Sequence, residues 1–489
     1  MMNLTAALNA ARSSLAAKSV QTAIVAENIG NIDNPNFVRR QTESVSAGGF
    51  GVGRVSVTRA DNSTLLREFL GVTSQTTEKQ AILNGLTSLE ATIGDPALEG
   101  SPAALMAKFQ NSLQSYATLP NDPVVASNVV QSAVDLAASL NSASQTITQT
   151  RAQADADIGR SVDRVNNLLE QFHTANQAIV RGVGSASELA GHLDSRDAVL
   201  AKLSEEMDIS TVTRSNNDVA IYAKGGAVLY EQRPRLVSFQ ATPTYSPSTV
   251  GNQVYIDGVP VTGDVITMGI GSGRLKGLVA LRDDVSLTYQ NQIDEIARGL
   301  IEAFAEQDQS ASPSLPDVPG MFTYPGAPAI PASGVVVTGI AGQITVSTAV
   351  NPATGGDVNL IRDGGISGAA YNYNPTGNSG FADRLTQLFE GLNASRSFDP
   401  SAQTEVTTSL TNFSSSSVSW FESTRARAVD DAGYQMALLA RSSESLSRAT
   451  GVDLDTELAK MMEIERSYEA SARLLSTIDN MFSTLLNSV

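Results

Sequence analysis

Cysteine is absent from all 489 residues. That excludes a disulfide framework and a thiol nucleophile, and it suits a chain exported unfolded into an oxidising exterior. Histidine is nearly absent too, with only His173 and His192 present. Their spacing fits no metal pattern and no HExxH occurs, so both read as ordinary helix residues and no metal is expected. Aromatic residues make up only 5% of the chain, while Ala, Ser, Thr, Asn and Gln are plentiful, a composition for long helices packing closely. Positive charge is short: 33 Lys and Arg face 50 Asp and Glu, a net charge of -17. Phosphates would be repelled, so no nucleic acid is expected as a partner. No apolar run reaches the roughly eighteen residues of a membrane span, so no membrane insertion is expected. The opening MMNLTAALNAARSSLAAKSV has no charged region ahead of an apolar block, which argues against a cleaved Sec-type signal.

What the chain does have is a periodic stripe at each end. Leu4, Leu8, Ala11, Leu15, Lys18, Thr22, Val25, Ile29 and Ile32 alternate spacings of four and three. All but Lys18 and Thr22 are apolar, which gives a coiled-coil seam over roughly four heptads. Met461, Ile464, Tyr468, Ser471, Leu475, Ile478, Phe482 and Leu485 repeat the pattern near the C-terminus, broken only by Ser471. Burying each large apolar side chain is worth roughly 1.5–3 kcal/mol, so neither stripe is left in water. Pairing within one molecule satisfies part of this, and a subunit interface is the sharper expectation. Gly451 breaks the preceding helix, and Asp453 or Asp455 caps the next.

Between the ends the period changes repeatedly. GGFGVG (48–53) reads as a turn before the alternating strand RVSVTR. Residues 63–206 are helical by pattern, with PNDPVV as a break. From Asp208 the period becomes two, and DVAIYAKGGAVLYEQ reads as a hairpin around Lys-Gly-Gly. Helix returns near Lys276. Residues 310–379 are dense in Pro and Gly, and SGVVVTGIAGQITVS within them reads as strands. The expected fold is mainly α with β insertions: a long discontinuous helical bundle, paired terminal coiled-coil helices, and one or two β-rich outer domains. The boundaries expected are 1–38 with 452–489 for the terminal coiled coil, and 39–207 with 275–309 and 380–451 for the body. A β domain is expected over 208–274, and a second β-rich insertion over 310–379, either separate or part of the first.

No nucleophile constellation can be assembled. GIGSGRLKG (269–277) follows a strand and precedes a helix, but it is neither GxxxxGK[ST] nor a true GxGxxG, and a domain crossing explains its glycines. HLDSRD (192–197) gathers Asp194, Arg196 and Asp197, either acid–base machinery or a salt-bridged helix face. A glycan-cleaving enzyme would need paired carboxylates, for which Asp257, Asp264, Asp317, Asp357 and Asp363 qualify by type alone. No cofactor is implied.

The helix of the first stripe ends in AENIGNIDNPNFVRRQ (26–41). Gly30 and Asn31 can stop a helix, and Asn34-Pro35 forces an extended exit. This stretch resembles the Asn-rich signature of the bacterial flagellar rod and hook axial protein family, approximately A-N-N-I-A-N-x-N-T-P-G-Y-S-R-Q in its hook-associated members. Ala26, Asn28, Ile29, Asn31, Asn34, Pro35, Arg40 and Gln41 correspond to it. Asn36 and Phe37 stand where the family has Gly-Tyr, and Asn is the usual substitute where φ is positive. The ending TGVDLDTELAKMMEIERSYEASARLLSTIDNMFSTLLNSV resembles the family's C-terminal signature more strongly. LTSLEATIGDP, LAGHLDSRDAVLAKLSE and GRLKGLVALRDD resemble segments of its hook–filament junction members.

The resemblance implies a structural protein of the flagellum, not an enzyme, assembled as a ring in the axis outside the cell and exported without a cleaved signal. Another axial role, as hook subunit or flagellin, is the alternative. Implied partners are other copies of itself, the hook protein, the next hook-associated protein, flagellin, and an export chaperone on the C-terminal helix. Expected at the subunit interface are Leu4, Leu8, Ala11, Leu15, Val25, Ile29, Ile32, Met461, Ile464, Tyr468, Leu475, Ile478, Phe482 and Leu485. Asn28, Asn31, Asn34, Pro35, Phe37, Arg40 and Gln41 form the family-motif turn. Arg39 and Arg40 pair either with the acidic body or with the next subunit.

Overall fold

The N-terminal stripe folds as one helix, α1 (Met2–Gly30), about 43 Å long at 1.5 Å per residue. The computed structural model describes residues 2–46, 52–93, 100–182, 185–263, 266–326 and 329–486. After α1 an antiparallel hairpin, β1 (Arg40–Ser46) and β2 (Val52–Arg59), pairs Arg40 with Arg59. Most of the GGFGVG turn, residues 48–51, lies outside the described residues.

Three long helices follow: α2 (Ser63–Ile93), α3 (Pro102–Thr118) and α4 (Pro123–Arg181). Their starts obey local chemistry. Ser101 accepts from the Ala104 amide and Asp122 from the Val124 and Val125 amides, each with a proline at the first helical position, where no donor is lost. α4 runs unbroken for 59 residues and ends on Gly182 at φ 61°. A reciprocal capping box between Ser185 and Glu188 opens α5 (Ala186–Glu206).

The period-two region forms two small sheets. β3 (Ile209–Thr213), β4 (Val219–Ala223), β5 (Val228–Glu231) and β6 (Arg233–Pro234) lie in sequence order in one. β7 (Val237–Ser238), β8 (Tyr255–Ile256) and β9 (Val259–Pro260) make the other. The chain returns through α6 (Arg274–Ala280), a π turn at Leu281–Val285, and α7 (Ser286–Ala303).

Residues 310–379 hold less strand than their sequence suggests. Among the described residues the paired strands there are β10 (Phe322–Thr323) and β11 (Thr345–Val346), with turns and the short helix α8 (Leu360–Asp363) after them. Gly334 and Gly339 take φ of 72° and 86°, which breaks the extended run read in SGVVVTGIAGQITVS, and Ile340–Gly342 forms a 3-10 turn. The chain closes with α9 (Asp383–Asn393), β12 (Ser395–Ser397) paired with β13 (Thr407–Ser409), α10 (Leu410–Thr450) and α11 (Leu454–Leu486).

Two hydrophobic cores result, and α4 threads both. Its first half, with α3, α7, α9, the start of α10 and Met321, Phe322, Ile340 and Ile344, fills one. Its second half, with α5, α6 and strands β4, β5, β7 and β8, fills the other. The two inserted segments therefore pack into different cores. Between the cores lies a buried polar belt. Arg151 of α4 donates to the carbonyls of Arg282, Pro247 and Thr249, and Arg282 pairs with Asp155 at 2.6 Å. Burial lowers the Arg151 guanidinium from its ordinary value. The π turn carries both the Arg282 carbonyl and its side chain into this belt.

Candidate functional site at the joint of terminal helices and body

Helices α1 and α11 form an antiparallel pair. The hydroxyls of Ser14 and Ser471 meet at 3.2 Å, and fourteen residues later on α1 and fourteen earlier on α11 the Asn28 amide meets the Glu457 carboxylate at 3.0 Å. Ala11, Val25 and Ile478 are buried, and Leu4, Leu8, Leu15, Ile29, Met461, Ile464, Leu475 and Phe482 are partly buried. Since α11 is the main element packed along α1, this burial comes chiefly from the same chain. Ile32 and Tyr468 remain 40% and 47% exposed. The side chain of Leu485 lies outside the described residues.

Where the pair meets the body, one amide ties three elements together. Asn28 is fully buried. Its Nδ2 donates to the Arg40 carbonyl at 3.0 Å and to Glu457 Oε2, and its Oδ1 accepts from the Arg40 amide at 2.9 Å. The helix end is a chain of turns: the amides of Asn31, Asn34 and Phe37 donate to the carbonyls of Asn28, Asn31 and Asn34. Asn31 also donates its side-chain amide to the Glu27 carbonyl. Asn36 is not among the residues with positive φ. The expected left-handed substitute for Gly is replaced by an Asx turn, in which Asn34 Oδ1 accepts from the Asn36 amide. Phe37 is buried under the Arg40 guanidinium, 4.4 Å from the ring centroid, while Asn34, Pro35 and Gln41 stay exposed.

The HLDSRD segment of α5 is the other half of the joint. Arg40 Nη2 lies 2.6 Å from Asp194, Arg59 Nε lies 3.1 Å from Asp194, and Arg59 also pairs with Asp197. Arg196 points elsewhere, donating to the Asn217 carbonyl at 2.6 Å. Burial pushes the Asp194 carboxyl up, with Arg40 and Arg59 pulling the other way. The cluster is therefore a buried salt-bridge network, and Arg40 pairs with its own body. Arg39 donates its amide to the Thr450 carbonyl at 2.7 Å. Asp453, not Asp455, caps α11 by accepting from the Thr456 amide at 2.8 Å. Those Thr456 hydrogen bonds, with a smaller pull from Arg39, hold the Asp453 carboxyl below its ordinary value. A polar cavity of about 390 Å³ opens at the joint, lined by Glu27, Asn31, Asn34, Arg40, Ser187 and Asp194 among others. Glu27 accepts from Ser187 at its wall.

The other candidates take structural roles. Gly273 has φ 102°, and a Cβ there would meet Met207 Cα at 2.4 Å; one at Gly277 would meet the Glu78 carbonyl at 2.5 Å. The glycines of GIGSGRLKG thus allow α6 to pack against α2 and the end of α5. Asp257 pairs with Arg235, Asp317 accepts from Gln307, Asp357 from Asn359, and Asp363 from Arg362 and Asn374. Asp264 lies outside the described residues. His173 Nδ1 lies 3.0 Å from the Tyr230 hydroxyl. Among the described residues, no group of three or more His, Cys, Asp or Glu could hold a metal ion.

Two family models match the segments that meet here. Residues 86–313 match the flagellar hook-associated protein FlgK helical domain, and residues 446–488 match the flagellar basal body rod FlgEFG protein C-terminal domain. The chain is 24% identical to flagellar hook-associated protein 1 of Escherichia coli K12 over 337 residues, 67% of this chain and 60% of that protein. By these matches it is similar to flagellar hook-associated protein 1. Another relative of the same name, from Bacillus subtilis 168, is 21% identical and aligns over 99% of this chain and 98% of its own. The relative from Salmonella typhimurium LT2 is 22% identical over 61% of this chain and 56% of its own. The chain thus spans about 60% of the length of the Escherichia coli relative. The solved structure of the flagellar hook junction protein FlgK from Burkholderia pseudomallei, 22% identical, overlaps 53% of this chain and 47% of its own at a TM-score of 0.43. The segments matched by the two family models supply Asp194 and Glu457 to the joint, while Asn28 and Arg40 come from the N-terminal motif outside both.

Sequence reasoning weighed Asp194 but did not connect it to Arg40, and it left Glu457, Glu27, Arg59 and Ser187 out of the site. One signal was available: Glu457 sits four residues before Met461, on the heptad stripe, where a carboxylate needs a buried donor.

Proposed function

We propose that this chain is a structural protein of the flagellar axis that joins hook to filament by self-assembly through α1 and α11, without enzymatic activity. The observation carrying this reading is the clasp at Asn28. The helix matched by the rod-type C-terminal model is locked there to the N-terminal helix and, through Arg40 and Asp194, to the helical body. A clasp of this kind sets one angle between terminal helices and body, which a repeating assembly requires. The same reading divides the chain into a terminal coiled coil (1–38 with 452–489), a helical body, and inserted segments over 208–274 and 310–379. It places the protein outside the cell, between hook protein and the next hook-associated protein or flagellin, after export with a chaperone on α11.

The test is labelling and deletion in the bacterium that encodes the chain. Antibody gold should mark a single site at the hook–filament boundary. A strain lacking residues 450–489 should bear hooks without filaments while the purified truncated body stays folded. Labelling along the filament, or filaments attached normally to the deletion strain's hooks, would refute the reading.

A further inference from the structure

The two hydrophobic cores change over at one level of the helical body. On α2 the second core ends at Ala81 and the first begins at Leu86. On α4 the first core ends at Ile147 and the second begins at Ile158. Between α6 and α7 the second core ends at Val279 and the first begins at Tyr289. Each gap holds a feature that weakens regular helix packing. Gly85 leaves α2 without a Cβ, and one there would collide with the Leu281 side chain. The π turn at Leu281–Val285 interrupts the run from α6 to α7, and helices bend most readily at such turns. On α4, Arg151 and Asp155 are buried where large apolar residues stand above and below. α10 passes Gly85 between its ion pairs Arg425–Glu90 and Asp431–Lys79, and its buried residue there is the small Ala428.

One segment spans this level from outside. The loop between β7 and β8, residues 239–252, lies across the polar belt as a strap. Its Thr242 amide donates to Asp155 at 2.7 Å, and its Tyr245 hydroxyl donates to the same carboxylate at 3.1 Å. Its Pro247 and Thr249 carbonyls accept from Arg151, and the Asn252 carbonyl accepts from Arg282. The strap is rooted in the second core at Val237 and Val254. Pro247 reaches Gly339, beside Ile340 and Ala341 of the first core. We propose that the belt is a bending joint of the helical body and that residues 239–252 are its latch. Apolar cores move as rigid units because their side chains interdigitate. Long polar side chains that hold carbonyls at their tips follow a change of angle by small rotations, and water replaces a bond that opens. The bend turns the first core, with the segment of residues 310–379 packed into it, against the second. The second core contains α5, whose Asp194 holds the joint to the terminal helices. The Asn28 clasp thus fixes one angle of the molecule, and the belt leaves another adjustable.

The inference does not depend on what the chain assembles with, and the purified full chain tests it. Because the chain has no cysteine, paired nitroxide labels can be placed at chosen positions. Thr174→Cys with Ser419→Cys puts exposed labels on opposite sides of the belt. Thr174→Cys with Lys202→Cys puts both beside the second core, and Asn128→Cys with Ser419→Cys puts both beside the first. Pulsed electron paramagnetic resonance gives the distance distribution of each pair. The distribution across the belt should be about twice as broad as either distribution within one core, as for rigid units about a hinge. Tyr245→Ala removes the hydroxyl from Asp155 and the ring 5.4 Å from the Arg151 guanidinium. It should broaden the distribution across the belt further and leave the other two unchanged. Tyr245→Phe, which loses only the hydroxyl, should do the same to a smaller extent and serves if the alanine variant does not fold. Three distributions of equal width in the otherwise unchanged chain would make the body a rigid rod and overturn the joint. Tyrosine variants that leave the distribution across the belt as it was, or that broaden all three alike, would overturn the latch.

Discussion

The side-chain amide of Asn28 and the backbone of Arg40 exchange two hydrogen bonds, 3.0 and 2.9 Å long. The pair imitates one rung of a β-ladder between the end of a helix and the start of a strand. Both backbone groups of Arg40 are satisfied by it, and the spare proton of Nδ2 goes to Glu457. One buried amide therefore fixes α1, β1 and α11 against one another, and only a side chain with adjacent donor and acceptor fits.

Asn28→Ala should cost the full chain about 2–4 kcal/mol, because it strands two buried backbone groups and a buried carboxylate oxygen. Asn28→Asp should cost more at pH 7, since a second carboxylate would then face Glu457 and the Arg40 carbonyl. Urea unfolding of purified protein checks both. Equal stability of Asn28→Ala and wild type would show that the clasp carries no load.

Asp194→Ala leaves Arg40 and Arg59, whose side chains are only 2% and 7% exposed, without their shared carboxylate. Stranding buried charge in this way should cost about 3–5 kcal/mol. Replacing the pair with apolar groups, Arg40→Met with Asp194→Leu, should recover a large part of that loss, with Arg59 still held by Asp197. A thermodynamic cycle over the two single variants and the double variant measures this coupling.

What the sequence disclosed, and what it hid, follows from the range of each signal. The terminal helices and the long helical body were legible because periodicity is local: Leu4 to Ile32 and Met461 to Phe482 declare their helices without reference to anything else. The hairpin around Lys224-Gly225-Gly226 was legible for the same reason, with Gly226 at φ 98°. The joint was visible as a motif but not as a set of contacts. Asn28 and Arg40 lie 12 residues apart, but Asp194 is 154 residues beyond Arg40 and Glu457 is 429 beyond Asn28, and no local rule links a carboxylate on one helix to a guanidinium on a distant strand. Residues 310–379 misled because Val335, Val336 and Val337 favour strand by propensity, while the bracketing glycines and the burial of Ile340 and Ile344 in the first core decide otherwise.

Gly273→Ala should be severely destabilising for a reason unrelated to ligand binding. The residue sits at φ 102°, and an added Cβ would lie 2.4 Å from Met207 Cα and 2.7 Å from the Glu206 carbonyl oxygen. Both are backbone atoms that cannot step aside. Gly100→Ala, where nothing lies within 4 Å of the added carbon, is the matched control and should change little. Thermal unfolding of the two variants should separate them by more than about 3 kcal/mol if packing is the role of this glycine.

Asp294 gives the chain a pH dependence whose sign can be stated. Its carboxylate anchors the turn of residues 339–341 to α7, accepting from the Gly339 and Ala341 amides at 2.8 Å each and from Gln290. Burial nonetheless pushes its pKa from 3.8 up to about 6, against the pull of those hydrogen bonds and with a smaller push from Glu295. A carboxyl group raised in the folded state binds its proton more tightly there than in the unfolded chain. Its contribution is thus most favourable below about pH 4 and is lost as pH rises through 6. At about 1.4 kcal/mol per pH unit, the loss amounts to at most about 3 kcal/mol. Asp294→Asn removes the titration, though its amide meets a backbone donor and lowers stability overall. The stability of wild type minus that of Asp294→Asn, from urea unfolding, should fall between pH 4 and pH 7. A difference that stays flat or rises over that range would mean the hydrogen bonds from Gly339, Ala341 and Gln290 outweigh burial, and that the carboxylate stays ionised throughout.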